Sequence, residues 1–550
     1  MDRNEQTNFF SEESTVQMNR SMWTNNFNTK TTFNNGYIIP FYANSDILPG
    51  MTIKNRTSLL IRMTTPKYPT MDTLECDTFW FKVPWWTIWK GSKQFFGENE
   101  KGAWAVTTEL TIPKIVIPAD SSAGVQEHDV MAYMGIPQGL KNFSINALNI
   151  RAYCRVFNYW FRNQNVTPPI QYTEGNENVT WGGSQQKDVT RGGTVLQANR
   201  FFDYFAAALP QPQKGTEVTT PLGTTAPVTI VGNNQPIGVK IGTTGEVHAL
   251  QQQADSGMVN AHRFIWNQTT ATGNVIFDTA AKGDVGLIGT ADLTKATAAT
   301  INALRMAFAT QRILEKDARF GTMYQQVLRG HFGVNSPNAS LHIPEYLGGA
   351  HFYINIDTVL QNSQTSSESP LGETGAYSVS FNHNEDFTKS FDEHCVLLGL
   401  LVVRARHTYQ QGVQRQWTRT RRLDLYWPSL AHIGNQPIYN YELYAQGNST
   451  DNQVFGYKEA WSEYKYYPSL ITGQMSSLNA KSLDSWHYGD HYSSLPTLSP
   501  QWMKENSTYV NRTLVAQSPI ADQFIADINV EQTVAAPMPI HSTPGLIDHF

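Results

Sequence analysis

GYIIPFYANSDILPGMTIKNRTSLLIRMTTPKYPTMDTLECDTFWFKVP, residues Gly36–Pro84, reads as a succession of β-strands. Within it Tyr37–Tyr42, Thr57–Met63 and Thr78–Val83 are rich in β-branched and aromatic residues. Pro40, Asn44, Pro49-Gly50, Pro66 and Pro84 punctuate them, and such residues end strands and seat turns. A strand about every ten residues, with long loops between, predicts an antiparallel sandwich or barrel rather than βαβ units. Further along, Cys395–Val403 is the longest apolar run and is ended by Arg404. At about half the length a membrane helix needs, it reads as a buried strand, and no membrane insertion is expected.

Two helices interrupt this texture. In Ile145–Arg162, Ile150, Tyr153, Phe157 and Trp160/Phe161 recur at three-and-four spacing. Arg151, Arg155, Asn158 and Arg162 keep the same rhythm on another face, which predicts an amphipathic helix with a polar side. In Ala298–Lys316, Ile301, Leu304 and Phe308 repeat likewise.

The composition agrees with a chain built on burial. Of 550 residues, 40% are hydrophobic and 12% aromatic, with 14 Trp, while only 16% are charged against a norm of roughly a quarter. Disorder, coiled coil and collagen are excluded. The length suggests roughly two to four domains, or one β domain swollen by insertions. The net charge of −5 is not that of a strongly basic nucleic-acid binder, so any such contact must come from a local patch. Cys76, Cys154 and Cys395 are too few and too scattered for a disulfide framework or a zinc site, and read as buried thiols in a reducing compartment. The N-terminal MDRNEQTNFFSEES lacks the apolar stretch of a signal peptide, so Asn-x-Ser/Thr triplets such as those at Asn55, Asn178, Asn448 and Asn511 read as chance.

Composition also divides the chain. Residues 1–20 are polar and acidic and read as a flexible arm. Residues 21–209 and 298–550 share the aromatic β texture and are taken as two parts of one core. Between them, 210–297 contains no tyrosine and is dominated by Thr, Gly, Ala, Gln and Val. It reads as an inserted surface module, in which Val228–Val231, His262–Trp266 and Val275–Phe277 could supply a small β core.

No convincing active site stands out. There is no GxGxxG after a strand, no phosphate loop and no GxSxG elbow. His487, Asp490 and His491 form a weak metal-ligand pattern, His394-Cys395 lacks a third residue to orient a thiol nucleophile, and Glu98/Glu100 are unremarkable carboxylates. Neither catalysis, metal nor cofactor is expected. Two groups do ask for a reading. Trp80, Trp85, Trp86, Trp89 and Trp104 could stack on sugars, or fill core and subunit interfaces, and the second is favoured because a monomer should not leave so much aromatic surface bare. In Arg415–Arg422, strand alternation would place Arg415, Trp417, Arg419 and Arg421 on one face, a pattern suited to a single nucleic-acid strand; the alternative is an arginine-rich interface paired with carboxylates such as Asp424.

Long blocks of the chain resemble the major capsid protein of gokushovirus-type microviruses, small single-stranded-DNA bacteriophages. They are INALRMAFATQRILEKDARFGTMYQQVLRGHFGVNSPNASLHIPEYLGG (Ile301–Gly349), FTKSFDEH (Phe387–His394), TYQQGVQRQW (Thr408–Trp417), YWPSLAHIG (Tyr426–Gly434) and PGLIDHF (Pro544–Phe550). ILPGMTI (Ile47–Ile53), FFGEN (Phe95–Asn99) and LPQPQKG (Leu209–Gly215) fit the same pattern, whereas Met323 and Cys395 stand where Arg and Gly are usual. The resemblance implies a mainly β, eight-stranded antiparallel viral jelly roll with large loop insertions and a few short helices. It implies a structural protein of the virion, assembled in the bacterial cytoplasm into pentamers and a small T=1 icosahedral shell around circular single-stranded DNA. Implied partners are an internal scaffolding protein, a DNA pilot protein, a small basic DNA-binding protein, and a host surface receptor met through 210–297. The other class open at this point is a carbohydrate-binding or glycan-degrading β protein.

Overall fold

The computed structural model describes residues 20–541 except 103, 106–107, 120–123, 183–185, 364, 366–369 and most of 217–300, where only short strands are described. The residues 1–19 of the expected arm lie outside the described residues. The chain divides into two compact units, Met1–Lys214 with Glu315–Phe550, and Gly215–Leu314.

The first unit is built on a double sheet, with a smaller three-stranded sheet and two strand pairs outside it. The strands of the double sheet are β1 (Ser21–Phe33), β2 (Ile39–Ile47), β3 (Thr52–Met63), β4 (Leu74–Pro84), β5 (Glu345–Gly348), β6 (His351–Tyr353), β7 (Ser380–Ser390), β8 (Cys395–Ala405) and β9 (Phe524–Ala536). One antiparallel sheet has the order β1-β9-β3-β7, and the other β5-β4-β8-β2. β5 pairs with Trp80–Lys82 and β6 with Glu75–Asp77, so they lie end to end along one edge of β4 as a single broken strand. Gly348 and Gly349 sit at the break, and a Cβ on Gly349 would fall 1.9 Å from the Thr78 carbonyl oxygen; no side chain fits there. Counted this way there are eight strands, with the chain crossing repeatedly between sheets: the jelly roll.

Alternation explains the first sheet. In β3, Ile53, Asn55, Thr57, Leu59, Ile61 and Met63 are buried while their neighbours are not. β9 behaves the same way, burying Ala526, Ile528, Val530, Val534 and Ala536. Rings bridge the two sheets: Phe27 of β1 lies 5.2 Å from Tyr42 of β2, and Trp80 of β4 meets Phe387 of β7 edge-on at 5.7 Å. β8 is different, with Cys395–Val403 buried on both faces. Apolar side chains on both faces fit a central strand that is covered twice. The second cover includes α1 (Leu148–Val156) and the π-turn Phe157–Phe161, whose Phe161 packs edge-on against Phe79 of β4 at 5.3 Å.

The helix forms where its apolar spacing predicts, but its arginine side is not solvated. Arg151 is buried and donates to the carbonyls of Gly175, at 3.0 Å, and Ile88. Arg155 donates to the His342 carbonyl at 2.7 Å, Arg162 to that of Thr167, and Asn158 exchanges two hydrogen bonds with Ile170. A crossing loop whose backbone lacks ladder partners takes its hydrogen bonds from these side chains, so the polar face is covered rather than exposed. All three cysteines are buried free thiols.

In the second unit, Val228–Gly232 pairs with Leu287–Ala291, Gly238–Lys240 with Val247–Ala249, and Gln251–Ala254 with His262–Ile265. Two of the apolar runs are thus strands, while Val275–Phe277 and Trp266 lie outside the described residues. The helix α2 runs Ile301–Phe320, beginning in this unit and ending in the first, and none of its residues is buried. Among the described residues no helix is long and apolar enough to cross a membrane.

Candidate interaction surfaces

A satellite core carries the arginine-rich segment. Tyr204, Phe205, Ala206, Ala208, Tyr409, Ile438, Leu443, Phe455, Trp502 and Met503 pack together apart from the jelly-roll core. The antiparallel pair Asn435–Tyr439 and Val454–Glu459 supplies two of these residues.

A buried charge network adjoins this cluster at Trp502. His407, with 2% of its side chain exposed, places Nδ1 2.6 Å from Asp490 and Nε2 2.9 Å from Glu505. Arg200 lies 3.0 Å from Asp490 and over the Trp502 ring at 4.3 Å, while the Tyr492 hydroxyl donates to Asp490 at 2.7 Å. Burial alone would depress the His407 pKa, but the carboxylates of Asp490 and Glu505 outweigh it and raise the group to about 9. Asp490 moves the other way, held below the usual carboxylate range by His407 and Arg200 against the cost of burial. The Tyr409 hydroxyl donates to Asp203 at 2.5 Å, which ties the strand end to the loop before the inserted unit.

Arg415–Arg422 is not a strand. Arg415–Thr418 and Arg422–Asp424 are 3-10 turns, and the Asp424 carboxylate accepts from the backbone N–H groups of Thr420 and Arg421. An Asp that captures backbone donors favours a turn over a ladder, and that breaks the alternation the sequence suggested. Strand alternation therefore does not bring Arg415, Trp417, Arg419 and Arg421 to one face, although Arg415, Arg419 and Arg421 line one depression. Arg415 bonds Glu442 at 2.6 Å and sits over Tyr439; Arg419 bonds Glu463 at 3.0 Å and lies 4.2 Å over Tyr464. Trp417 and Arg421 are exposed. Sequence reading named Asp424 as a pairing carboxylate and missed Glu442 and Glu463, which lie 27 and 44 positions from their partners. No local signal points to either.

Arg415 and Arg419 form a wall shared by two concavities. One is a cavity of about 410 Å³, lined also by Tyr204, Tyr409, Tyr464, Tyr466 and Tyr467. The other is a wider, more open depression that reaches Arg421, Asp424 and Trp461.

The tryptophan cluster splits. Trp80 and Trp89 are fully buried and Trp85 nearly so. Trp89 donates to Asn176 at 2.6 Å and Trp85 to the Ser45 carbonyl. These three fill the fold of their own chain and have no surface to offer a neighbour or a sugar. Trp86 is half-buried, donating to Glu393 at 2.8 Å, and Trp104 is 99% exposed. The other candidates are structural too: His487 lies 2.7 Å from the Met475 carbonyl, Asp490 belongs to the buried network, and His394 stacks on Phe96 beside a buried Cys395. Burial raises the Cys395 thiol, the opposite of a reactive cysteine. Among the described residues no group of His, Cys, Asp and Glu is arranged to hold a metal ion.

The surface is rich in large apolar side chains. Trp417, Leu423, Leu425, Tyr426, Ile433, Tyr467, Leu470 and Leu478 are all exposed within one irregular stretch of the chain.

Comparison with known proteins agrees with this picture. A family model described as "Capsid protein (F protein)" matches residues 11–546. The protein named capsid protein VP1 of Bdellovibrio phage phiMH2K is 36% identical over 547 residues, covering 98% of each chain. That of Spiroplasma virus 4 is 37% identical over 536 residues, 94% of this chain and 93% of its own. That of Chlamydia phage 1 is 33% identical over 589 residues, 98% of both.

Proposed function

This chain belongs to the phage capsid protein (F protein) family, and from that premise we propose that its copies close a T=1 shell around circular single-stranded DNA. The protein is a structural component of the virion and not an enzyme. The observation that carries the reading is the family match over residues 11–546 on a jelly roll whose loops expose many large apolar side chains. Self-association covers that surface; the buried Trp80, Trp85 and Trp89 remove the argument for a sugar-stacking platform.

In this reading the arginine-rich segment faces the genome through Arg421 and Trp417, with Arg415 and Arg419 setting the shape of the surface rather than lending free charge. Trp86 and Trp104 serve contacts between copies. Residues 210–297 contact the host surface. An internal scaffold, a pilot protein and a small basic DNA-binding protein complete the particle, which assembles in the bacterial cytoplasm. Electron microscopy and sedimentation of the expressed chain test the central claim: pentamers or closed shells support it, and a monodisperse monomer under all assembly conditions defeats it.

A further inference from the structure

β1 has a hydrogen-bonded neighbour on one side only, β9, and its 13 residues pair there without a bulge. Alternate residues of a strand turn their backbone groups to opposite sides. The Thr64 N–H donates to the Gln523 carbonyl at 2.8 Å, so odd-numbered residues of β9 face β3 and even-numbered ones face β1. Phe33 stands opposite Phe524, so the odd-numbered residues of β1 are the ones bonded to β9. Met22, Thr24, Asn26, Asn28, Lys30 and Thr32 therefore turn their N–H and C=O groups outward. The Tyr133 hydroxyl donates to the Thr32 carbonyl at 2.9 Å from that open side, in agreement. From Met22 to Lys30 these outward groups have no backbone partner among the described residues.

An edge left this way invites a further strand, and folded proteins usually blunt it with a bulge, a proline or charge. β7, at the other side of the same sheet, has a bulge at Glu385/Phe387, and Gly348 of β5 lies against the Asp386 carbonyl. β1 has no bulge, no proline and one cation, Lys30, and it exceeds the usual strand length of about five to six residues. We propose that this edge pairs with the same edge of a second copy of the chain, the two β1 strands running antiparallel about a twofold axis so that one sheet passes through both. The proposal rests on the reading of the chain as a closed-shell protein, in which copies meet across twofold axes. The residues of the edge suit a copy of itself. With Asn26 opposite its own counterpart, Thr24 meets Asn28 and Met22 meets Lys30, so amide faces amide and no like charges oppose. Centring the pair on Lys30 would set two ammonium groups together and drive the strand against Tyr133. The favoured register also has room for the start of the partner's strand. A concavity of about 740 Å³, lined by Phe27, Lys30, Tyr42, Met134 and Gln138, opens beside the Lys30 end, and Met22, 65% exposed, would enter it from the partner.

Cross-linking of the assembled full-length chain tests the pairing. Opposed residues that exchange backbone bonds have Cα atoms about 5.5 Å apart, within disulfide range, so Asn26→Cys particles should give a covalent dimer under mild oxidation. Asn28→Cys particles should not, because the two thiols would sit four positions out of register, about 14 Å apart. The native Cys76, Cys154 and Cys395 are buried and do not compete. Asn26→Pro removes an outward N–H and spares the ladder with β9, so soluble yield should hold while particle yield falls about tenfold. Asn26→Cys particles without the dimer overturn the proposal, as does a normal particle yield from Asn26→Pro. Should Asn26→Pro fail to fold, the cross-link alone decides. A dimer that forms only after residues 1–19 are deleted assigns the edge to that segment and also overturns the proposal. In these cases particles still form and the shell reading stands; a chain that never assembles defeats both.

Discussion

His407 points both ring nitrogens at carboxylates, with Nδ1 2.6 Å from Asp490 and Nε2 2.9 Å from Glu505, in a site closed to solvent. Two acceptors require two protons, so the ring is an imidazolium inside the protein. Arg200 brings a second cation, and two cations face two carboxylates. The cluster joins segments that are far apart in sequence.

Stability should therefore fall in alkali. The folded pKa of about 9 lies above the ordinary value of 6.5, so this contribution is fully present below about pH 6.5 and is lost as pH rises through 9. Its size is on the order of 3 kcal/mol. Thermal unfolding of the unassembled chain between pH 6 and 10 should show the decline, and His407→Gln should lower the melting temperature at pH 6.5 and flatten the dependence. Asp490 and Glu505 are both depressed, so a second loss should appear as pH falls below the ordinary carboxylate range. A pH-independent melting temperature in the unaltered protein would contradict this account.

The tryptophans should separate by phenotype. Trp89→Ala removes a fully buried ring and its bond to Asn176, and should cost about 3–5 kcal/mol and give insoluble protein. Trp86→Ala and Trp104→Ala should leave soluble chains that assemble poorly, since truncating an interface anchor costs on the order of 2–4 kcal/mol. Soluble yield and particle yield, measured side by side, decide it; normal particles from both surface variants would end the interface role.

Charge reversal should distinguish the arginines. Arg421→Glu should lower DNA retention in particles and reduce its salt dependence, because its guanidinium is exposed. Arg419→Glu would set a carboxylate against Glu463 and should reduce folded yield first. Should Arg421→Glu particles package DNA normally, this segment does not face the genome.

Replacing Thr216–Lys295 by a short Gly-Ser linker should leave assembly intact, because long surface insertions couple weakly to core stability. Particles should fail to adsorb to host cells. Infection at the normal level would remove the attachment role, and loss of particles would place the segment within the shell.

Much of the core is legible in the chain itself. The alternation in Thr52–Met63 and the unbroken apolar run from Cys395 identify a half-exposed strand and a central one, because each strand's period and burial are local properties. The aromatic excess likewise foretells a surface made to be covered. Tertiary structure alone decided what lies against the polar groups. Arg151 is buried because a loop from Gly175 needs donors, Arg415 is neutralised by Glu442, and one charged cluster gathers Arg200, His407, Asp490 and Glu505. Periodicity states which face of an element is apolar, but the partner of a charge is chosen by packing across hundreds of residues, where local sequence carries no signal.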